Sequence, residues 1–121
     1  MANPNMASAT TITGHSAVAF LSTSTTSLIT NSAASGKIIK IESVIVSNVD
    51  GTNAADVNAW VRRSSSNYNI AQTVSVPADT TLVLVSRDTT IYLMEGDVLK
   101  GGAGAASDLE LFVSYESIDD A

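Results

Sequence analysis

The sequence predicts an all-β protein: a single antiparallel β-sandwich domain, jelly-roll-like, with about eight strands and a low-complexity N-terminal arm. Few stretches show helix periodicity, short apolar runs of strand length recur, and turn-forming residues separate them roughly every 8–12 residues. A length of 121 residues fits one domain with one modest core. An immunoglobulin-like sandwich is the alternative, although this chain has no cysteine for that fold's usual Cys–Trp–Cys core.

The first part of the chain contains the longest predicted strand. Its alternation slips near Glu42 and Ser43, which predicts a bulge. The loop before it ends on Gly36, a residue suited to a positive φ. The predicted strands here are "TTIT" near Ile12, "SAVAFL" (16–21), "SLIT" (27–30) and "KIIKIESVIVSN" (37–48).

The second part of the chain alternates short strands with polar turns. We interpret "SSSNYN" (64–69) as a polar connection and "GAGAASD" (102–108) as a loose loop. The run "LVLVS" is typical of a strand that is covered on both faces. The predicted strands are "VNAWVRR" (57–63), "IAQTVSV" (70–76), "LVLVS" (82–86), "IYLM" (91–94), "VLKG" (98–101) and "LELFVSYES" (109–117).

The distribution of charge divides the chain unevenly. Residues 1–36 contain no Asp, Glu, Lys or Arg, so all 18 charged residues lie from Lys37 onward. Because a solvated arm usually carries charge, this stretch is either a low-complexity lead-in or a surface that rests on another chain. We assign residues 1–12 to an N-terminal arm and residues 13–121 to the sandwich domain.

The composition argues against several classes of function. A net charge of −6 argues against nucleic-acid binding, which needs clustered Lys and Arg. The absence of cysteine excludes disulfides and thiolate chemistry. The apolar runs are too short to span a membrane, and the N-terminus lacks the pattern of a secretory signal. We therefore expect a soluble protein made in a cytoplasm.

No motif indicates catalysis, a metal or a cofactor. The only histidine, His15, lies in an uncharged stretch without a nucleophile motif. Glu95 and Asp97 flank Gly96, an arrangement more typical of a β-turn than of a catalytic pair. The Gly-rich segment "GGAGAAS" (101–107) lacks the Lys and the helix start of a phosphate-binding loop. We predict that the chain is not an enzyme and uses no cofactor.

The loop "NVDGTNAAD" suggests a cation site, but its spacing does not fit one. Asp50, Asn53 and Asp56 offer oxygen ligands without the alternating register or the final bidentate Glu of a calcium loop. Asp-Gly is a frequent turn signal. We interpret the segment as a turn whose polar tip, including Asp50 and Asn53, is a candidate contact loop.

Four further residues form a candidate interaction patch. Trp60, Arg62, Arg63 and Tyr68 belong to types that are enriched at binding interfaces. The alternative is structural, with Trp60 filling one side of the sandwich and the arginines capping a strand end. The sequence leaves both interpretations open.

Three segments together resemble a family of virion proteins. The segments are "KIIKIESVIVSNVDGTNAADVNAWV", "IAQTVSVPADTTLVLVSRDTTIYLMEGDVL" and "ASDLELFVSYESI", and they span roughly residues 36–118. Their order resembles small structural proteins of tailed bacteriophages of the marine and cyanophage type, with motifs "V-P-A-x-T-T-L-V-L", "E-G-D-x-L" and "S-Y-E-E-I". The last motif departs here as "SYESI". The resemblance implies a β-sandwich protein of phage heads or tails without enzymatic activity.

The leading hypothesis is a capsid decoration, or cement, protein that binds the major capsid protein and stabilises the head. We expect a homotrimer at local three-fold axes of the virion, on the capsid exterior, assembled in the bacterial host cytoplasm, with no nucleic-acid or membrane partner. The first alternative is a tail, baseplate or fibre component. The second is a carbohydrate-binding receptor module that uses Trp60 and Tyr68.

Overall fold

The computed structural model describes residue 7 and residues 9–119, which form nine strands. A single turn of 3-10 helix, Arg87–Thr89, precedes the seventh strand. Within the described residues, no helix has the length and apolar character that a membrane crossing requires. The strands are β1 (Thr11–Phe20), β2 (Thr26–Thr30), β3 (Lys37–Asn48), β4 (Ala55–Arg63), β5 (Ser66–Val76), β6 (Thr81–Val85), β7 (Ile91–Leu93), β8 (Val98–Ala103) and β9 (Leu109–Asp119).

The strands form two antiparallel sheets with jelly-roll topology. Sheet A has the order β1-β9-β3-β6, and β7 also pairs with β3. Sheet B has the order β2-β8-β4-β5. When β6 and β7 are counted as one interrupted strand, the first strand of the chain pairs with the last and the second with the second-last. The third strand pairs with the third-last and the fourth with the fifth, as in a rolled-up hairpin. The predicted all-β sandwich is confirmed.

The core lies between the sheets and is built from one face of each of the strands β2 to β9. In β9 the alternation is direct, because Leu109, Leu111 and Val113 are buried while Glu110 and Phe112 are exposed. The predicted bulge in β3 is present, as a register shift against β9 between residues 41 and 43. The remaining buried core residues are Leu21, Ile29, Ile39, Ile41, Val44, Val46, Ala55, Val57, Val61, Ala71, Val76, Val85, Leu93, Leu99 and Ala103.

A buried asparagine ties three segments together at one end of the sandwich. Asn31 is 1% exposed, and its Nδ2 donates to the backbone oxygens of Lys37 and Leu93 at 3.0 and 2.9 Å. Its Oδ1 accepts from the Ser35 hydroxyl at 2.6 Å. Because a buried amide is costly unless it is hydrogen-bonded, these contacts fix the loop before β3 against the end of β7.

Two of the predicted breaks between strands are wrong. The segments on either side of Gly14 form one strand, and all ten positions of β1 pair with β9 without a register shift. Glycine keeps its backbone N–H and C=O, so the pairing with β9 continues through Gly14 opposite Glu116. The predicted polar connection after β4 is a two-residue turn, in which Ser64 and Ser65 both have positive φ, as in a type I′ hairpin.

Two further local predictions are also wrong. β8 continues through Gly102 and Ala103, the first two residues of the loop predicted at 102–108. Within β8, a Cβ at Gly101 would lie 3.2 Å from both the Asn58 oxygen and Leu28 Cδ1. A glycine therefore fits this crowded place in the strand. The run "LVLV" in β6 is covered on one face only, because Val83 is 57% exposed.

The predicted boundary between arm and domain falls inside β1. Thr11 and Ile12, which we assigned to the arm, pair with Asp119 and Ile118 of β9. Residues 1–6 and 8 of the predicted arm lie outside the described residues. The arm prediction therefore concerns the chain before Thr11.

Candidate functional site

Trp60 and Arg62 lie on the outer face of sheet B. Along β4, Val57, Ala59 and Val61 are buried on the core side, and the residues that alternate with them point to the other side. Arg62 Nη1 donates to Asn67 Oδ1 across the β4–β5 pair at 3.3 Å. Arg62 is thus held against its own sheet.

Trp60 borders a small polar groove with a volume of ≈ 230 Å³. Its Nε1 is buried and has no hydrogen-bond partner among the described residues. The amides in the groove are partly engaged, since Asn69 Nδ2 donates to Gln72 Oε1 at 3.3 Å. The remaining polar side chains that line the groove are Thr23, Ser24, Thr25 and Asn58.

The register of sheet B separates Tyr68 from Trp60. Trp60 lies opposite Asn69, whereas Tyr68 lies opposite Val61, whose side chain points to the core side of the sheet. Directly opposite residues share a face, so Tyr68 and Trp60 point to different sides. Trp60, Arg62 and Tyr68 therefore do not form one patch.

Arg63 makes a two-pronged ion pair with a buried carboxylate. Its Nε lies 3.0 Å from both Asp97 oxygens, and its Nη2 lies 2.6 Å from Asp97 Oδ2. The Asp97 side chain is 2% exposed and also accepts the Met94 N–H at 2.8 Å. The hydrogen bonds to Asp97 raise the pKa of Arg63 above its ordinary value, with burial opposing the shift. The turn that contains Gly96 is thereby tied to the end of β4.

The side chain of Asp50 bonds to its own loop. Its Oδ1 accepts the backbone N–H groups of Thr52 and Asn53 at 2.8 and 3.2 Å. These bonds, Thr52 first, lower the pKa of Asp50. Buried Asn48 secures the same loop by donating to the Asn53 oxygen at 3.0 Å and accepting the Asp50 N–H at 2.9 Å. This geometry is that of a turn. Among the described residues, no group of three or more His or acidic side chains is placed to hold a metal ion.

His15 stacks on a tyrosine of the neighbouring strand. Its ring centroid lies 5.0 Å from that of Tyr115, with an interplanar angle of 20°. The two residues are directly opposite each other in the β1–β9 pair. This contact gives the single histidine a structural place in sheet A.

A row of apolar side chains crosses the outer face of sheet A. Val18 lies opposite Phe112, Phe112 lies opposite Ile45, and Ile45 lies opposite Val83. We call these four residues the apolar row. Val18 is 69% exposed and Phe112 42% exposed, although both lie on a sheet face that is normally polar. Beside the row, Phe20 borders a shallow groove of ≈ 480 Å³.

The apolar row was not recognised from the sequence. Alternation placed Phe112 on the outer side of its strand, and a residue count in "SAVAF" places Val18 and Phe20 on the same side as Ser16. That these positions adjoin Ile45 depends on the pairing of distant strands, which no local pattern contains. Alternation was the available signal, and it identified single residues only.

The far end of the same outer face is charged. Lys40 lies opposite Glu116, and its Nζ is 3.6 Å from the Glu42 carboxylate. At the strand ends, Lys37 Nζ lies 3.6 Å from Asp119 Oδ1. The apolar row therefore occupies one end of sheet A and the ion pairs occupy the other.

The comparisons with known proteins give a fold and no family. Neither the protein-family models nor the curated protein sequences that were compared match the chain. A solved structure described as Bacillus endospore appendages that form disulfide-linked pili is similar, with a TM-score of 0.53 and 12% identity, covering 92% of this chain and 90% of that one. Two structures of a pentameric capsid protein isolated from metagenomic phage sequences each have a TM-score of 0.40 and 16% identity over 86% of this chain, and the chain spans 64% and 60% of their lengths. At these identities the likeness concerns the fold alone.

Proposed function

We propose that this chain is a non-enzymatic structural subunit of a bacteriophage virion, and specifically a decoration protein that binds the major capsid protein on the capsid exterior. The observation that carries the proposal is the apolar row, which crosses β1, β9, β3 and β6 of sheet A. Contiguous apolar surface that is exposed on a folded domain marks a docking site. A flat sheet face suits contact with another protein surface better than the enclosure of a small substrate.

Three polar residues that the sequence singles out have structural partners, which supports a structural role. Asp97 is paired with Arg63, Asp50 is bonded within its loop, and His15 is stacked on Tyr115. The net charge of −6 suits a position outside the head, away from packaged DNA.

The fold likeness and the sequence resemblance also support the proposal. The pilus subunit shares the fold across nine-tenths of both chains, and its description names an assembled filament. The sequence resemblance to phage virion proteins supports a bacteriophage virion as the particle in which the chain assembles. The trimer at a local three-fold axis remains our proposal for the oligomer, with the N-terminal arm reaching over a neighbouring capsomer.

Binding to heads that lack this protein tests the proposal. We expect the purified chain to attach in many copies per head, and a density map to show sheet A facing the capsid. Attachment in a few copies at the tail would favour the alternative of a tail, baseplate or fibre component. Deletion of residues 1–10 tests the arm, because it stops before β1 and leaves the strand intact. Undiminished attachment of that variant would contradict the arm prediction.

The groove beside Trp60 favours one further candidate function, recognition of a carbohydrate. An indole bordered by hydroxyl and carboxamide groups matches the chemistry of a neutral, hydroxyl-rich ligand. Glycan-array binding that is lost in Trp60→Ala would support this function. If the native chain binds no glycan on the array, carbohydrate recognition is ruled out as its function.

A further inference from the structure

β1 is the outermost strand of sheet A, and among the described residues no strand pairs with its other edge. Natural proteins blunt such edges with charged residues, proline or bulges, because the unpaired N–H and C=O groups otherwise bind another strand. β1 has no Asp, Glu, Lys, Arg or Pro, and its ten positions pair with β9 without a register shift. The edge is therefore ready to accept a strand.

The sequence of β1 complements itself. We propose that two copies of this chain pair through their β1 strands, antiparallel and two-fold symmetric, with Ser16 opposite Ser16 of the second copy. In this register the positions of every opposed pair add to 32, so residues 12–20 of both copies are paired. The two sheets A become one continuous sheet.

The register brings together two exposed apolar side chains at this edge. Ile12, 56% exposed, lies opposite Phe20 of the second copy, which is 60% exposed, and symmetry repeats the contact. Ile12 is already the neighbour of Ile118, and Ile118 is the neighbour of Ile38; both of these are buried. Each Phe20 therefore lies next to the line of three isoleucines, Ile12, Ile118 and Ile38, of the other copy. Cross-strand apolar pairs of this kind stabilise a sheet.

The remaining opposed pair on the outer face also fits. Val18 lies opposite Gly14 of the second copy, and no atom lies within 4 Å of the place where a Gly14 Cβ would be. The Val18 side chain therefore has room. A two-fold contact of this kind is isologous, the commonest arrangement among homo-oligomers.

This inference does not rest on the proposed virion function, since it concerns only how the chain associates with itself. It is also compatible with a trimer, because a three-fold contact would use another surface. Whether the unit that pairs is a monomer or a trimer, the pairing doubles the number of copies in the assembly. Variants that break it are expected to halve the mass of the assembly.

Charge at the symmetry axis tests the pairing. Opposed residues have Cβ atoms about 5 Å apart, so Ser16→Lys brings two ammonium groups together, and Ser16→Glu two carboxylates. We expect either variant alone to weaken the pairing about tenfold or more, and an equimolar mixture to restore it. Sedimentation equilibrium measures the mass. Ser75→Lys on the exposed outer strand β5 is the matched control and should keep the native mass.

The outcomes are distinct. A native chain that sediments as a monomer or a trimer without further pairing overturns the proposal, as does a Ser16→Lys variant with the native mass. A mixture of the two charged variants that fails to recover the native mass overturns the register. Because Ser16 is exposed, circular dichroism of the variants is expected to match the native spectrum.

A cysteine provides an independent test, since the native chain has none. Ser16→Cys places two thiols opposite each other, at a distance that a disulfide can bridge. We expect a covalent dimer under mild oxidation, formed much faster than with Ser75→Cys. Equal rates for the two variants would contradict the pairing. Faster crosslinking through His15→Cys than through Ser16→Cys would contradict the register.

Discussion

The outer faces of the two sheets differ in the rows of paired residues that cross them. On sheet A one row contains the four apolar side chains from Val18 to Val83. On sheet B a row of directly paired residues contains three polar side chains and one indole: Ser27, Lys100, Trp60 and Asn69. Both sheets cover the same core, so the core does not require the difference.

The residues buried between the sheets hold the fold together, whereas the outer faces form the surface that meets solvent or other proteins. The polar outer face of sheet B satisfies the usual expectation for a solvated sheet. Apolar side chains on the solvent face of sheet A gain nothing from burial until a second surface covers them. We therefore assign assembly to sheet A and solvent exposure to sheet B, and the following substitutions test that assignment.

The largest effect is expected from Phe112→Lys, in the middle of the apolar row. The substitution removes the packing of the phenyl ring and puts an ammonium group, which must lose its water on docking, at the centre of the docking surface. We therefore expect the affinity for heads to fall about 100-fold or more. The melting temperature should change little, because Phe112 is outside the core. Asn69→Lys, in the row of sheet B, is the control and should attach as the native chain does. Equal loss in both variants would remove the distinction between the faces.

A smaller effect, on stability, is expected from Arg63→Met. It leaves the buried Asp97 carboxylate without its cation, at a cost of about 2–3 kcal/mol, less than for a fully buried pair because the guanidinium is half exposed. Arg62→Met is the matched control and should cost about 0.5 kcal/mol, since the single side-chain bond of Arg62 to another described residue is the one to Asn67. Urea denaturation measures both. Similar losses for the two arginines would contradict the role of the ion pair.

Trp60→Ala should affect stability modestly and leave attachment unchanged. Loss of the half-buried indole is expected to cost about 1–2 kcal/mol. Attachment of the folded variant to heads should stay within about twofold of the native value, because we assign docking to the other sheet. Attachment that falls as far as in Phe112→Lys would instead make sheet B the docking face.

The smallest effect is expected from Asp50→Ala, in the loop after β3. The hydrogen bonds that lower the pKa of Asp50 favour its charged form in the folded state. They contribute stability above the ordinary pKa of 3.8, and this contribution is lost as the pH falls through the lower folded value. The melting temperatures of native and variant chains should thus differ at pH 7 and converge as the pH falls below the lowered pKa of Asp50. A difference that stays constant with pH would contradict this account.

Local patterns predicted much of the sandwich. The period-two alternation of "VNAWVRR" and "LELFVSYES" is enough to give the inward faces of β4 and β9, the slip near Glu42 gives the bulge in β3, and Asp-Gly gives the turn at Asp50. The errors lie where tertiary context overrides a local signal. The local pattern makes Gly14 a break because it does not contain the pairing with β9, and it makes "LVLV" a strand covered on both faces because it does not contain the open outer face of sheet A.

The candidate site was predictable only residue by residue. The sequence singled out Trp60, Arg62 and Tyr68 by type, but the register places Tyr68 on the other side of the sheet. Arg63 was considered for binding, and its ion pair joins it to a carboxylate 34 positions away. No local spacing contains such a pairing.

Sequence alone was enough for the class of fold, the inward faces of β4 and β9 and the turn at Asp50, because these depend on side chains that are near one another along the chain. The tertiary structure decided the apolar row and the open edge of β1, because these depend on which distant strands become neighbours. Four residues from separate parts of the chain form one surface only after β9 has inserted between β1 and β3 and β6 has paired with β3. The register of those pairs, set by burial of the opposite face, aligns the outer residues as well.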